Sequence, residues 1–239
     1  MSTTPTPVPR GHVRNLLHFG LRAIVVVLAA VGVLLLADRL GDGSTTTVVR
    51  GSGDSVSQSR SLPSFTAVEL AGDSQITVRI GEQAVVVEAD DNLVDRVTTA
   101  VRGGTLVVDT PGSFTATSPM RVEVTVPALD AVVLSGTGMV AVEGVAADGL
   151  TVRVPGDGLL KVSGSAEHVD ASLSGAGDVQ LQDLVARDVT ATLSGDGRLQ
   201  VHATRSLDAS VSGTGAIFYR GSPSDVTKNV TGTGVIVGR

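Results

Sequence analysis

Cysteine and tryptophan are both absent from the 239 residues, and aromatic side chains make up only 2%. Without cysteine there is no disulfide, no thiolate nucleophile and no cysteine-ligated metal. Phe19, Phe65, Phe114, Phe218 and Tyr219 are the whole aromatic complement, so any core has to be aliphatic. Lysine is nearly missing as well, with only Lys161 and Lys228. All 24 acidic residues follow residue 37, against 15 of the 18 basic ones. A folded part that is this acidic lacks the basic footprint of a nucleic-acid binder, so no nucleic-acid partner is expected. The GxSxG, GxGxxG and P-loop spacings are also missing, which removes the usual nucleophile-elbow, dinucleotide and phosphate-loop chemistries.

What is present is aliphatic and rich in glycine. Hydrophobic residues reach 42%, dominated by Val, Leu and Ala, and there are 29 glycines. Val is β-branched and suits extended chain, and glycine in this number points to many tight turns. The composition therefore favours an all-β protein.

The one long apolar run is "AIVVVLAAVGVLLLA" at 23–37. Arg10, Arg14 and Arg22 precede it, and an acid first appears after it. Extended to 19–40, with the flanking arginines reaching outward, it is long enough to approach a full bilayer crossing. It reads as an uncleaved signal anchor whose partner is the lipid bilayer. The positive-inside rule then puts a short basic tail, 1–18, in the cytoplasm and everything beyond residue 40 outside. A cleaved, secreted form is the alternative, although Ala37 lacks the small residue at position 35 that cleavage favours. Residues 41–60, "GDGSTTTVVRGSGDSVSQSR", have no sustained apolar period and read as a flexible tether.

The next segment, 61–239, divides at a change of pattern. Its first part, 61–127, is β-rich without an obvious period, in stretches such as "FTAVEL", "QITVRI" and "AVVVEA". Only "DDNLVDRVTTAV" at 90–101 looks helical or turn-rich. The second part, 128–239, repeats one unit six times: LSGTGMV, VPGDGLL, LSGAGDV, LSGDGRL, VSGTGAI and VTGTGVI. The paired glycines are Gly136 and Gly138, Gly156 and Gly158, Gly175 and Gly177, Gly195 and Gly197, Gly213 and Gly215, and Gly232 and Gly234. The second glycines are spaced by 20, 19, 20, 18 and 19 residues, and so steady a period marks a repeat architecture. Around each pair the chain alternates apolar and polar, as half-buried strands do.

Each unit reads as a strand, a glycine corner, a second strand and a polar connection such as "VEGVAADG" or "LQDLVARD". Two properties fit glycine to the corner: freedom to take positive φ, and the absence of a Cβ where backbones stack closely. Propeller blades run to about 40 residues, twice this period. A single-chain parallel β-solenoid, one unit per coil, is therefore the expected fold, with 61–127 serving as its cap. "ELAGDSQITV" reads as a degenerate first repeat.

These segments carry a resemblance. "SFTAVELAGDSQITVRIG", then "VVVEADDNLVDRVTTAVRGGTLVV", then the LSGxGxV series resemble the bacterial auto-transporter adhesin head GIN domain family, a domain of unknown function, over roughly 61–239. The resemblance implies a β-helix-like fold, a place in the cell envelope and no established enzymatic activity. Pro155, where the other units have a hydroxyl residue, and the corner residues Asp157 and Asp196 depart mildly from the pattern.

Three chemistries can be weighed from the residues. Asp157 and Asp196 share a corner position two units apart, about 10 Å in stacked coils, with Asp178 nearby. That spacing approaches the separation of an inverting glycosidase pair, but turns attract aspartate for structural reasons. Periodic calcium binding would need an acid in every unit, and four of the six corners lack one. Asp90, Asp91 and Asp95 could form one cation site or a solvated acidic turn. His168 and His202 have no partner at a metal-ligand spacing, and Phe218 and Tyr219 are too few for an aromatic recognition platform. The expectation is thus a membrane-anchored extracytoplasmic module without catalysis, cofactor or metal. Its partners would be an envelope protein, a polysaccharide or another copy of itself. A β-helix enzyme acting on polysaccharide is the alternative, and would show charged side chains converging in a groove. A binding scaffold would show a smooth face rich in Ser and Thr.

Overall fold

The computed structural model describes residues 48–239. The expected tail at 1–18, the expected anchor at 19–40 and the start of the expected tether lie outside the described residues. The described residues pack as one compact unit. Among the described residues every regular element is a strand, apart from one 3-10 turn at Val94–Arg96.

Strands β1 (Val49–Arg50), β2 (Ser55–Ser59), β3 (Ala67–Leu70), β4 (Gln75–Ile80) and β5 (Ala84–Asp90) precede the 3-10 turn. They are followed by β6 (Thr98–Arg102), β7 (Thr105–Asp109), β8 (Phe114–Thr115), β9 (Arg121–Val126) and β10 (Ala131–Leu134). Four long strands come next: β11 (Met139–Val154), β12 (Leu159–Leu173), β13 (Asp178–Leu193) and β14 (Arg198–Val211). Strands β15 (Ala216–Arg220), β16 (Asp225–Val230) and β17 (Val235–Gly238) end the series.

The long strands pair side by side in parallel, β11 to β12 to β13 to β14, each one repeat after the last. β15 then continues one side of the stack and β16 another. The arrangement is a parallel β-solenoid of about five turns. Equivalent residues meet in rows: Leu150, Val169, Val189 and Leu207 form one, and Val154, Leu173, Leu193 and Val211 another, all buried. Each such side chain contributes about 1.5–3 kcal/mol relative to exposure, which is how a core without aromatic bulk holds together.

Two expectations need correction. The polar connections are not loops. In β13 the buried residues run Val179 and Leu181, then Leu184 and Ala186, then Val189, Ala191 and Leu193. The parity changes twice, so each coil has three sides, and "LQDLVARD" supplies the middle one. Its alternation is only two residues deep, too short to stand out among the polar outward positions. The bend into that side is where glycine does adopt positive φ, at Gly144 (74°) and Gly164 (131°).

The second correction concerns the tether, which does not extend to residue 60. β1 pairs with β8, and β2 pairs antiparallel with β5. The partners of this segment lie 27 or more residues further along, so nothing in its local pattern announces the pairing.

The cap is wound out of chain order. β3 and β4 make one coil, and β7 and β9 then pass beneath it, β7 under β3 and β9 under β4. β10 and β11 return to stack on the upper side of that same coil. The lower ends are closed by antiparallel strands, β6 on β7 and β5 on β9, with β2 outermost. Antiparallel closure breaks the parallel template and so blunts the edge against further pairing.

Candidate binding faces

The six glycine pairs form two columns at one corner of the solenoid. A Cβ added to Gly195 would lie 2.0 Å from the carbonyl oxygen of Gly175, and one on Gly175 2.1 Å from that of Gly156. Gly136, Gly156, Gly213 and Gly232 are equally tight against the coil below. The second glycines repeat the arrangement: Gly158 lies over Gly138, Gly177 over Gly158, Gly197 over Gly177, Gly215 over Gly197 and Gly234 over Gly215. None of the twelve has positive φ. Of the two properties glycine could supply, the corner uses only the missing Cβ. The columns continue downward, Gly136 onto Gly72 and Gly138 onto Ser74, so "ELAGDSQITV" is a coil with serine at the second position.

The corner aspartates are structural. Asp157 accepts a hydrogen bond from the backbone N–H of Ala176 in the next coil (2.8 Å), and Asp196 accepts one from the Thr214 hydroxyl (2.6 Å). Each ties one coil to its successor. Asp178 stands beside Arg198 in register and accepts from the Gln180 amide.

The acidic trio near residue 90 divides: Asp91 and Asp95 are exposed in a turn, whereas Asp90 is not. Asp90 is fully buried. It accepts from the backbone N–H groups of Gly53 (3.1 Å), Thr117 (2.8 Å) and Ser118 (3.1 Å). Burial pushes this carboxyl up, but hydrogen bonds from Ser118, Thr117 and Gly53 outweigh it and hold the group below the ordinary aspartate range. Both carboxylate oxygens already accept from backbone N–H groups and are shielded from solvent, so they are not open to a cation. Asp91 instead accepts from the Ser52 hydroxyl, and Asp95 sits in the 3-10 turn. Among the described residues no group of three or more acidic or histidine side chains is placed to hold a metal.

One side of the solenoid presents a flat polar lattice, built from the outward residues on the C-terminal halves of the long strands and on β16. One column reads Thr151, Asp170, Thr190, Asp208, Thr227, and the next reads Arg153, Ser172, Thr192, Ser210, Asn229. Neighbours in a column are about 4.8 Å apart, and neighbours along a strand about 7 Å.

A shallow depression overlaps the first column of this lattice and includes His168, Asp170, Asp188, Ser206, Asp208 and Asp225. The presence of Ser, His and Asp invites comparison with a nucleophilic triad, but the order is wrong. Asp188 is the central group: it takes hydrogen bonds from Ser206 (2.5 Å) and from both arms of the Arg205 guanidinium, and lies 3.2 Å from His168 Nδ1. His168 and Ser206 stand on coils either side of it, so no imidazole is positioned to take the serine proton. The hydrogen bonds from Arg205 and then Ser206 hold the Asp188 carboxyl well below its ordinary range, so it is a fixed anion and not a proton donor. His202, the other histidine weighed for metal, stands on a different side, next to Arg220 in register.

Sequence reasoning reached the glycine columns because they repeat at the corner itself. It missed the lattice and the Asp188 cluster. Their signal was present one step away: His168, Asp188, Ser206 and Asp225 recur at the same period, and aligning whole coils would have revealed them.

The family described as "putative auto-transporter adhesin, head GIN domain" matches residues 64–223. No curated protein matches the chain. Among solved structures, a "putative adhesin" from Bacteroides fragilis is 24% identical, covering 80% of this chain and 100% of its own, with a TM-score of 0.66. A "putative lipid binding protein" from Parabacteroides distasonis is 21% identical, covering 80% of this chain and 99% of its own, with a TM-score of 0.50. Both likenesses are of fold.

Proposed function

The chain belongs to the auto-transporter adhesin head GIN domain family, and from that premise we propose that it is a non-catalytic binding module of the bacterial envelope, anchored through residues 19–40 with residues 48–239 outside the membrane. The observation that carries this reading is the Ser/Thr/Asp lattice. Hydroxyls and carboxylates repeat there on a fixed grid, which suits a partner that is itself repetitive and polar, such as an envelope polysaccharide. Adhesion is the role named for the family, and a flat recurrent face is compatible with it. A cleaved, secreted form would present the same lattice.

A polysaccharide-active enzyme is the second reading, and the four aspartates of the depression are what favour it. Two features weigh against it. Asp188 is committed to Arg205 and Ser206. Asp170 and Asp208 are exposed on a flat sheet with Thr190 between them, so no wall excludes water from a reacting bond.

One experiment separates the readings. Residues 46–239 are incubated with purified envelope polysaccharide, while retention of the protein and release of reducing ends are followed together. Retention that is lost in Thr190→Lys, with no reducing ends released, supports the module. Release of reducing ends that disappears in Asp170→Asn or Asp208→Asn would establish the enzyme instead.

A further inference from the structure

A different side of the solenoid carries a patch that the lattice does not explain. On the outer face formed by the N-terminal half of β14 and by β15 and β17, Ala216, Phe218, Val235 and Val237 form a two-by-two apolar block. Val235 is 48% exposed and Val237 40%. The block is rimmed by arginines, with a histidine beside them. His202, Arg220 and Arg239 fall side by side on successive strands: His202 pairs with Arg220 in register, and Arg239 follows the Tyr219–Gly238 pair. Arg198 lies on the opposite flank. The guanidiniums of Arg198 and Arg239 approach the Phe218 ring at 5.9 and 4.0 Å from its centroid.

Two aspects of this arrangement are costly without a partner. Arg220 and Arg239 are like charges on adjacent strands, a destabilising cross-strand pairing. The five ion pairs among the described residues leave Arg198, Arg220 and Arg239 out. Asp178 stands beside Arg198 in register, but Arg220 and Arg239 have no such neighbour, and in a chain of net charge −6 arginines gathered around exposed apolar side chains are distinctive.

We propose that this patch docks on the surface of an anionic lipid bilayer. The valines enter the boundary between headgroups and acyl chains, while Arg198, Arg220 and Arg239 meet the lipid phosphates. A soluble glycan fits less well. The face of Phe218 that a sugar ring would stack on is occupied by Arg239, and the valine pair offers nothing to sugar hydroxyls. The proposal concerns a different face from the lattice and does not depend on the polysaccharide reading.

The test uses residues 46–239, which form the compact unit without the apolar segment that would itself enter lipid. The protein is co-sedimented with vesicles of phosphatidylcholine alone and of phosphatidylcholine with phosphatidylglycerol, with soluble polyphosphate as a competitor. Binding is expected to the anionic vesicles only. Each arginine removed weakens it roughly fivefold, so Arg198→Gln, Arg220→Gln and Arg239→Gln together weaken it on the order of a hundredfold. Val237→Asp, which keeps every cation, also weakens it, and circular dichroism verifies that each variant remains folded. Equal binding to neutral vesicles, binding to neither, or complete displacement by polyphosphate that leaves Val237→Asp as tight as the parent would overturn the proposal. So would a dimer in lipid-free solution whose formation Val237→Asp abolishes, since the patch would then belong to a second copy.

Discussion

The cap at 48–130 and the coils at 131–239 build the same cross-section by different means. In the coils, chain order and spatial order coincide: each strand pairs with its equivalent one repeat later, and stability is a sum of similar nearest-neighbour contacts. In the cap the coil formed by β7 and β9 lies beneath one formed earlier, and β2, β5 and β6 close the end in antiparallel fashion. The coils rest on an absence, the missing Cβ at each corner. The cap rests on a presence, the buried Asp90 that joins 51–54 to 116–118. A periodic structure can be held by what it omits at every step, whereas a structure that must end needs specific, one-off polar contacts.

The largest expected effect comes from filling the corner. In Gly195→Ala the new methyl would stand 2.0 Å from the Gly175 carbonyl oxygen, a backbone atom that cannot move without disturbing the coil below. A loss of about 3 kcal/mol or more is expected, the upper end of overpacking costs. Gly149→Ala is the matched control, since a Cβ there meets nothing within 4 Å and φ is not positive. It should stabilise by about 0.5 kcal/mol through the unfolded chain. Urea unfolding of the two variants checks the contrast, and equal midpoints would break the account of the coils.

Next in size is the cap's lock. Asp90→Asn places an amide N–H₂ among the N–H groups of Thr117 and Ser118, leaving donors facing donors. Hydrogen exchange should then release β2 and 116–118 while the β12 and β13 amides remain protected. The pH dependence follows from the sign of the shift. The folded carboxyl titrates below its unfolded value of 3.8, so its stabilisation is complete above about pH 4 and is lost as pH falls through the folded pKa. Acid should therefore loosen the cap in the parent, and Asp90→Asn should remove that part of the acid dependence. Loss of protection spread evenly over all coils would contradict a cap that is locked locally.

The same contrast governs what could be read from sequence. The six glycine pairs, the alternation around them and the parallel stacking follow from a pattern repeated within each 18 to 20 residues, and local periodicity is what sequence displays best. The cap's chain order, the pairing of β2 with β5 and the burial of Asp90 depend on partners 27 to 65 residues apart, for which "SVSQS" and "EADD" carry no local sign. Asp90 misleads in particular: three acids in six residues look like a solvated or cation-binding turn, and only the backbone donors brought in by 53 and 117–118 reverse that meaning. The reason for the corner glycines was itself only half legible, because sequence cannot distinguish a residue chosen for φ from one chosen for size.

Ser74 tests the junction from the cap's side. It occupies the column of the second glycines, yet its hydroxyl is buried without a partner among the described residues. Serine is tolerated because the coil beneath it, formed by β7 and β9, does not carry the tight glycine corner of the later coils. Ser74→Ala removes the unpaired hydroxyl and leaves the Cβ that the site already accepts. It should stabilise by about 1 kcal/mol in urea unfolding. A loss of that size would mean the hydroxyl has a structural role and the column is not continuous at this step.

The smallest effect sharpens the comparison by being small. Arg79 of the cap and Glu143 of the first long strand form an ion pair of 3.0 Å that links the two regions across adjacent strands, with both side chains about half exposed. It looks like a clamp. Exposed pairs of this kind contribute about 0–1 kcal/mol, because solvent screens the charges and two long side chains lose freedom in meeting. Glu143→Gln should therefore shift unfolding by less than about 0.5 kcal/mol and leave the cap and coils unfolding together. The joint is carried instead by the buried row of Ile76 with Val140 and Val78 with Val142, directly beneath the pair. Val140→Ala, which opens that row, should cost several times more than Glu143→Gln in the same measurement, as a buried truncation does. If the order were reversed, the boundary between cap and coils would be electrostatic, and the solenoid's core would not be continuous through it.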